Sequence, residues 1–109
     1  MTHTLVFRIT REIWDALERG EKTVEYRDSK PFWDCRMVKA MQSLGFVKVE
    51  ALFIEPPRWS EEGNPRDTGM MRFSVRGVVP IDRGEVPERW RSYLTTPEVW
   101  AVELGERLG

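Results

Sequence analysis

The stretch TLVFRITREIWDALERGEKTVEYRD, residues 4–28, shows both of the periodicities that decide the fold class. Residues 4–9 alternate and are rich in β-branched and aromatic types, which predicts a strand. Residues 11–19 follow a threonine, a favoured helix N-cap, and place apolar side chains at helical spacing up to Gly20, where a helix commonly ends. Residues 23–27 return to a period of two. The chain therefore changes from strand to helix and back to strand over this short stretch.

Three further segments predict strands by the same alternation, namely residues 46–54, 70–79 and 98–104. Residues 85–94 predict a helix that turns a tryptophan and a leucine inward. Five strands and few helices, without regular βαβ alternation, predict an α+β fold. We expect a small mixed β-barrel or strongly curved sheet with flanking helices, formed by one domain over residues 1–109.

The segment after the second strand is open to two interpretations. Pro31 interrupts the chain, and residues 35–46 then place four apolar side chains on one stripe before a glycine, which favours either a short helix or an irregular turn. The four side chains are Met37, Val38, Met41 and Leu44. Cys35 lies close to Trp33 in an apolar context, and we expect it to fill a small space in the core.

The connection at residues 55–69 is rich in proline, glycine and charge and is long for a hairpin. It contains Trp59, which we do not expect to pack into the core, because the residues around it are mostly polar, proline or glycine. We therefore expect a functional or mobile loop here.

Composition excludes several classes of protein. Hydrophobic residues make up 40% and charged residues 32% of the chain, and no apolar run approaches the roughly 20 residues that a membrane span needs. The N-terminus lacks a basic segment followed by an apolar one, so we expect a cytoplasmic protein. One cysteine and one histidine, the latter expected at a frayed terminus, cannot form a Cys/His zinc site. No phosphate-binding glycine loop follows a strand, and we expect no cofactor.

The charge is balanced overall but uneven along the chain. A net charge of −1 argues against a strong non-specific binder of duplex nucleic acid. Residues 21–48 nevertheless hold six basic and four acidic side chains, which is +2, whereas residues 85–109 hold three basic and five acidic ones, which is −2. A local basic groove is therefore compatible with the composition.

The second strand has an unusually polar face. Strand periodicity places Thr23, Glu25 and Arg27 on one side, with Lys22 at the start of the strand. Lysine and glutamate serve as base and acid when burial shifts their pKa, and arginine holds phosphate through a bidentate fork. Trp33 could add a stacking surface for a base, as could the tryptophan of the 55–69 connection. The alternative is a set of ion pairs on an exposed strand.

The order of these residues resembles a known motif. GEKTVEYR, residues 20–27, resembles the G-x-K-x-x-E-x-R motif of the ASCH domain (activating signal cointegrator homology), a member of the PUA-like superfamily. KPFWDCRM, residues 30–37, and VWAVELGERL, residues 99–108, are similar to the aromatic-basic segment and the closing strand of that family. The resemblance implies a small β-barrel with a cleft for RNA or a nucleotide. The residues that would contact the ligand are Gly20, Lys22, Glu25, Arg27, Lys30, Trp33 and Trp59.

The same resemblance leaves the activity open. Some relatives are amidohydrolases that act on N4-acetylcytidine with a lysine, a threonine and a glutamate. Their lysine corresponds to Lys22, but their threonine falls on Glu25, so Thr23 would have to be the nucleophile or Glu25 the acid/base. Other relatives have been proposed as ribonucleases, and a protein-interaction domain is the third possibility. The sequence favours a module that binds single-stranded RNA or a modified nucleotide.

Overall fold

Five strands and three α-helices are present in this computed structural model, which describes residues 1–57 and 69–109. In chain order they are β1 (Thr2–Arg8), α1 (Arg11–Glu18), β2 (Val24–Asp28), α2 (Pro31–Ser43), β3 (Lys48–Ile54), β4 (Met70–Asp82), α3 (Glu88–Arg91) and β5 (Glu98–Arg107). A 3₁₀ turn, Arg83–Glu85, follows β4. The predicted α+β class and the five predicted strands are confirmed.

The five strands form one mixed sheet, curved into a half-barrel, in the order β1-β3-β4-β5-β2. β1 and β3 are parallel, and the other three pairs are antiparallel. The β4–β5 register shifts twice, between Phe73 and Val75 and between Val75 and Gly77. Such irregularities bend a strand pair and increase its twist, so they contribute to the curvature. β1 and β2 are the two edges of the sheet, although they are neighbours along the chain.

The core lies on the concave side of this sheet, where the inward residues of the central strands meet α1 and α2. Its largest fully buried apolar side chains are Phe7, Phe53, Leu5, Met37, Met71, Val86, Val99 and Val102. The Phe7 ring stacks on that of Phe53 with centroids 5.1 Å apart. α1 begins at its predicted cap, since Thr10 accepts a hydrogen bond from the Ile13 amide, and the chain leaves it through Gly20 at φ 75°.

α2 differs from the prediction in its start and in its buried face. Pro31 begins the helix instead of interrupting the chain, because the first helical turn has no need of the proline's missing N–H. Met37 and Ala40 face the core, whereas Val38 and Met41 are exposed. The predicted stripe is therefore wrong for those two residues. The buried residues of this helix are Met37 and Ala40, three positions apart, so its buried stripe is narrower than the sequence pattern indicates.

Two single residues also differ from expectation. Cys35 is exposed on α2 and fills no core space. His3 belongs to β1 instead of a frayed terminus, since it pairs with Val49 of β3. The outward direction of Cys35 and the pairing of His3 with β3 both depend on tertiary packing, which the local sequence does not show.

The predicted helix over 85–94 is shorter than expected. α3 itself has four residues, but Trp90 and Leu94 are buried as predicted. Most of the 55–69 connection, Trp59 included, lies outside the described residues. No helix among the described residues has the length and apolar character that a membrane span requires.

Candidate functional site

A cavity of about 370 Å³ lies between the two edge strands, where the half-barrel leaves a gap. One side is formed by the end of β1 and the start of α1, and the other by β2 and the first turn of α2. Trp90 of α3, together with Tyr93 and Leu94 just after it, completes the cavity. The residues that line it are Arg8, Ile9, Thr10, Ile13, Lys22, Glu25, Tyr26, Arg27, Asp28, Lys30, Trp33, Trp90, Tyr93 and Leu94.

The charged centre of the cavity is Glu25, which is only 2% exposed. Its Oε1 lies 3.3 Å from Nζ of Lys22, and its Oε2 lies 2.9 Å from Nη2 of Arg27. Oε1 also accepts a hydrogen bond from the backbone amide of Tyr26 at 3.1 Å. A buried carboxylate needs such partners to remain charged. One negative charge is thus shared by two positive ones, so the cluster as a whole is cationic.

Lys22 reaches Glu25 from the turn before β2. The amides of Glu21 and Lys22 both donate to the Ala16 carbonyl, which folds the chain back under α1 before the strand begins. This turn places the side chain of Lys22 inside, although strand periodicity puts it on the opposite face from Glu25. Only the folded turn brings the two together.

The ammonium group of Lys22 is enclosed by aromatic rings. Nζ lies 4.7 Å from the Tyr26 ring centroid and 4.9 Å from that of Trp90, and it donates a hydrogen bond to the Val24 carbonyl. Lys22 is 4% exposed. Burial lowers the pKa of this lysine, and the adjacent Glu25 charge opposes the shift only in part. Burial likewise raises the pKa of the Tyr26 hydroxyl, with a smaller contribution from Glu25.

Arg27 is held in place by hydrogen bonds and ring contacts. Nη2 donates both to Glu25 and to the backbone carbonyl of Arg8, the latter at 3.0 Å. Its Cζ lies 5.0 Å from the Phe7 ring centroid and 5.1 Å from that of Trp33, and these two rings stack on each other. Nη1 makes no hydrogen bond within the described part of the chain, and the side chain is 21% exposed. A fixed guanidinium edge is therefore left for a ligand.

The rim of the cavity is fixed by Asp28, the last residue of β2. Its carboxylate accepts hydrogen bonds from the Thr95 amide at 2.8 Å and the Thr95 hydroxyl at 2.6 Å, and from the Thr96 amide at 3.2 Å. Burial alone would raise the pKa of Asp28, but these hydrogen bonds outweigh it and lower the pKa to about 2. Nζ of Lys30 lies 3.6 Å from the same carboxylate at the exposed rim.

The segment around α3 is attached to α1 by a polar network. The Tyr93 hydroxyl donates to Glu12 at 2.8 Å, and Arg89 contacts Glu21 at 3.1 Å and Glu12 at 3.5 Å. These contacts hold Trp90 beside the cavity. The sequence predicted Trp90 only as a core residue, and Tyr93 was not identified. An aromatic cluster in a short helix was the available signal, but it did not reveal which cavity the cluster would face.

The predicted site residues are only partly brought together. Lys22, Glu25, Arg27, Lys30 and Trp33 all line the cavity.

Thr23 and Gly20 do not line it. Thr23 is exposed, and both residues line a different cavity near the end of β5. The strand face predicted to hold Thr23, Glu25 and Arg27 therefore does not include Thr23, because β2 begins only at Val24 and Thr23 still belongs to the turn. Gly20 acts through its positive φ, which ends α1. Trp59 lies outside the described residues.

The charges and rings of the cavity suit a flat anion. Four cationic side chains (Arg8, Lys22, Arg27 and Lys30) and two anionic ones (Glu25 and Asp28) line it, which gives a net charge of +2. Four aromatic side chains stand among them. Within residues 1–57 and 69–109 no group of three histidine, cysteine or acidic side chains is placed to hold a metal ion. The side chains that line the cavity offer charge pairing, stacking and proton transfer.

Comparison with known proteins finds no matching family model, no matching curated protein and no matching solved structure.

Proposed function

We propose that this protein binds single-stranded RNA or a modified nucleotide, with one nucleotide held in the cavity around Glu25. The observation that carries the proposal is the combination of a net charge of +2 with aromatic rings in one cavity. Cations attract the phosphate, and the rings offer stacking surfaces for the base. The resemblance of residues 20–27 to the ASCH motif supports the same ligand class.

The size of the cavity limits the ligand. Small-molecule pockets usually have volumes of about 300–1,000 Å³, and a cavity of about 370 Å³ lies near the lower end of that range. One nucleotide is the largest unit of RNA that we expect to enter. The rest of a strand would have to remain outside.

Each polar group has a role that follows from its unused hydrogen-bonding capacity. Nη1 of Arg27 and Nζ of Lys30 are placed to meet phosphate oxygens. The Glu25 carboxylate, which can accept about four hydrogen bonds, meets Lys22, Tyr26 and Arg27. We assign its remaining acceptor position on Oε2 to an amino group of the base. Trp33 and Tyr93 line the same cavity, and their rings can stack on this base.

The lowered pKa of Lys22 favours a second candidate, an N4-acetylcytidine hydrolase in which Lys22 is the general base. The position of Thr23 argues against this candidate, since a nucleophile must lie within hydrogen-bond reach of its base inside the same site. Nζ of Lys22 lies beside Glu25, inside the cavity. Thr23 is exposed and lines the neighbouring cavity near the end of β5, which Lys22 also borders, but it does not line the cavity of Glu25. We therefore rank binding first and expect no release of acetate from N4-acetylcytidine.

Equilibrium binding tests the proposal. The probes are a random-sequence single-stranded RNA of about 12 nucleotides, the same RNA as a duplex, the four ribonucleoside monophosphates and N4-acetylcytidine. We expect the single strand and at least one mononucleotide to bind, and Arg27→Gln to weaken both. Arg107→Gln, an equal charge change at an exposed residue of β5 outside the cavity, is the control.

Two results would contradict the proposal. One is that no probe binds. The other is that Arg27→Gln and the control behave alike while both remain folded by circular dichroism. Release of acetate that disappears in Lys22→Met would instead favour the hydrolase.

A further inference from the structure

The outer face of α2 carries an aromatic ring and two cations in one line. Phe32, Arg36 and Lys39 are spaced i, i+4 and i+7, which places them on the same side of the helix. Phe32 is 56% exposed, and Cζ of Arg36 lies only 3.6 Å from its ring centroid. Arg36 and Lys39 are exposed as well. The line spans about 10 Å along the helix axis.

This face does not serve the core. α2 packs against the sheet through Met37 and Ala40. Within the described residues, neither Arg36 nor Lys39 takes part in a salt bridge, and the contact of Arg36 is with its own helix, at the Phe32 carbonyl. More than half of the Phe32 side chain is left exposed to solvent.

The face is also free of opposing charge from its own helix. The acidic residue of α2, Asp34, turns toward the sheet, where it accepts hydrogen bonds from Trp100 Nε1 at 2.8 Å and the Ser29 hydroxyl at 2.9 Å. The outward charges of α2 are therefore all positive. A partner for this face must carry negative charge.

The line begins at the cavity. The ring of Phe32 meets that of Trp33 edge to face, with centroids 5.1 Å apart and an interplanar angle of 85°. Trp33 and Lys30 both line the cavity. A strand that leaves the cavity past Trp33 therefore reaches Phe32 next and then the two cations.

We propose that the outer face of α2 binds the nucleotides that flank the one in the cavity, so that the natural ligand is a single-stranded RNA and not a free nucleotide. This inference rests on the proposed function. Phe32 stacks on the first flanking base, and Arg36 and Lys39 contact the phosphates beyond it. A duplex is a poor fit, because its bases are already stacked and two cations neutralise little of its charge. Poly-glutamate would match the charge but offers no ring for Phe32.

The test compares the single-stranded RNA of about 12 nucleotides with the mononucleotide that binds most tightly. The variants are Phe32→Leu and the double change Arg36→Gln with Lys39→Gln; Arg76→Gln with Arg107→Gln is the matched control on exposed residues of β4 and β5. All are surface changes, and circular dichroism checks their folding.

Phe32→Leu is expected to weaken RNA binding at least about fivefold. The double variant is expected to reduce the slope of log affinity against log salt by about 1.4, or about 0.7 for each phosphate that its side chains no longer neutralise. Affinity for the mononucleotide should stay within about twofold in the double variant, because neither Arg36 nor Lys39 lines the cavity. A poly-glutamate peptide should not bind.

The outcomes separate this inference from the proposed function. If the wild-type protein binds neither RNA nor any mononucleotide, both fail. If it binds the mononucleotide as tightly as the RNA, or if the α2 variants bind RNA like the control, only the inference fails. Binding of poly-glutamate that depends on Arg36 and Lys39 as strongly as RNA binding does would also overturn it.

Discussion

Arg27 on edge strand β2 donates a hydrogen bond of 3.0 Å to the backbone carbonyl of Arg8 at the end of the opposite edge strand, β1. The same nitrogen donates to Glu25, so the charged cluster of the cavity also ties the two edges of the half-barrel together. Stability and ligand binding are therefore coupled at these residues. For each variant of the cluster, both the free energy of unfolding and the ligand affinity have to be measured.

Glu25→Gln should destabilise the protein by about 3 kcal/mol, because Lys22 and Arg27 would lose the one negative charge that compensates them in a buried site. Urea denaturation at neutral pH measures the change in the free energy of unfolding. Glu106→Gln, at an exposed position of β5, is the control and should change it by less than about 0.5 kcal/mol. Equal effects of the two substitutions would show that the cluster does not need this charge.

Arg27→Lys should lower stability by about 1–2 kcal/mol although the charge is kept. A lysine has no planar fork with which to bridge Glu25 and the Arg8 carbonyl, and no flat surface to lie against Phe7 and Trp33. Affinity for the single-stranded RNA should fall as well. Arg107→Lys is the matched control for both measurements, and an Arg27→Lys protein as stable as this control would contradict the prediction.

Lys22 should titrate below the ordinary lysine pKa of 10.5, because burial disfavours its ammonium form. Between its pKa in the folded protein and 10.5 the unfolded chain binds more protons, so this residue makes stability rise as pH rises through that window. NMR of the Lys22 Cε resonance follows the titration directly.

The corresponding stability test compares the wild type with Lys22→Met below about pH 10, before Tyr26 contributes in the opposite sense. The free-energy difference between the two proteins should change with pH in favour of the wild type. Titration of Lys22 at the ordinary lysine pKa of 10.5 would refute the prediction.

Asp28→Asn should remove part of the acid sensitivity of the protein. The pKa of Asp28 is about 2 in the folded protein against an ordinary value of 3.8, so its contribution is fully present above pH 3.8 and is lost as pH falls toward 2. The difference between these two pKa values corresponds to about 2 kcal/mol in the free energy of unfolding, since the Asp28 side chain is largely buried. Thermal unfolding between about pH 2 and pH 7 should show lower stability at neutral pH and a flatter acid limb for the variant.

Asp15→Asn serves as the comparison for this effect, since Asp15 lies on α1 away from the hydrogen bonds of Thr95 and Thr96. Parallel acid limbs for the wild type and Asp28→Asn would mean that those hydrogen bonds do not stabilise the carboxylate.

The local elements could be predicted from the residues of each segment. Alternation located all five strands, and the threonine cap and Gly20 marked both ends of α1, because propensity, capping and turn conformation depend on residues close together in the chain. The shared strand face of Glu25 and Arg27 was readable for the same reason. The pattern could not show that Lys22 joins them, since the turn before β2, which a two-residue period does not describe, sets its direction.

The arrangement of the elements around the cavity depends on the tertiary structure. The alternation of apolar and polar residues shows that a strand has a buried face, but it does not show which other strand pairs with its edge. The order β1-β3-β4-β5-β2 separates two chain neighbours and leaves them facing each other across the cavity. It also brings Trp90 against Lys22 and turns Ala40, instead of Met41, toward the sheet. These relationships arise from packing the whole chain at once, because the partner of each apolar face is chosen by the shape and volume of distant segments.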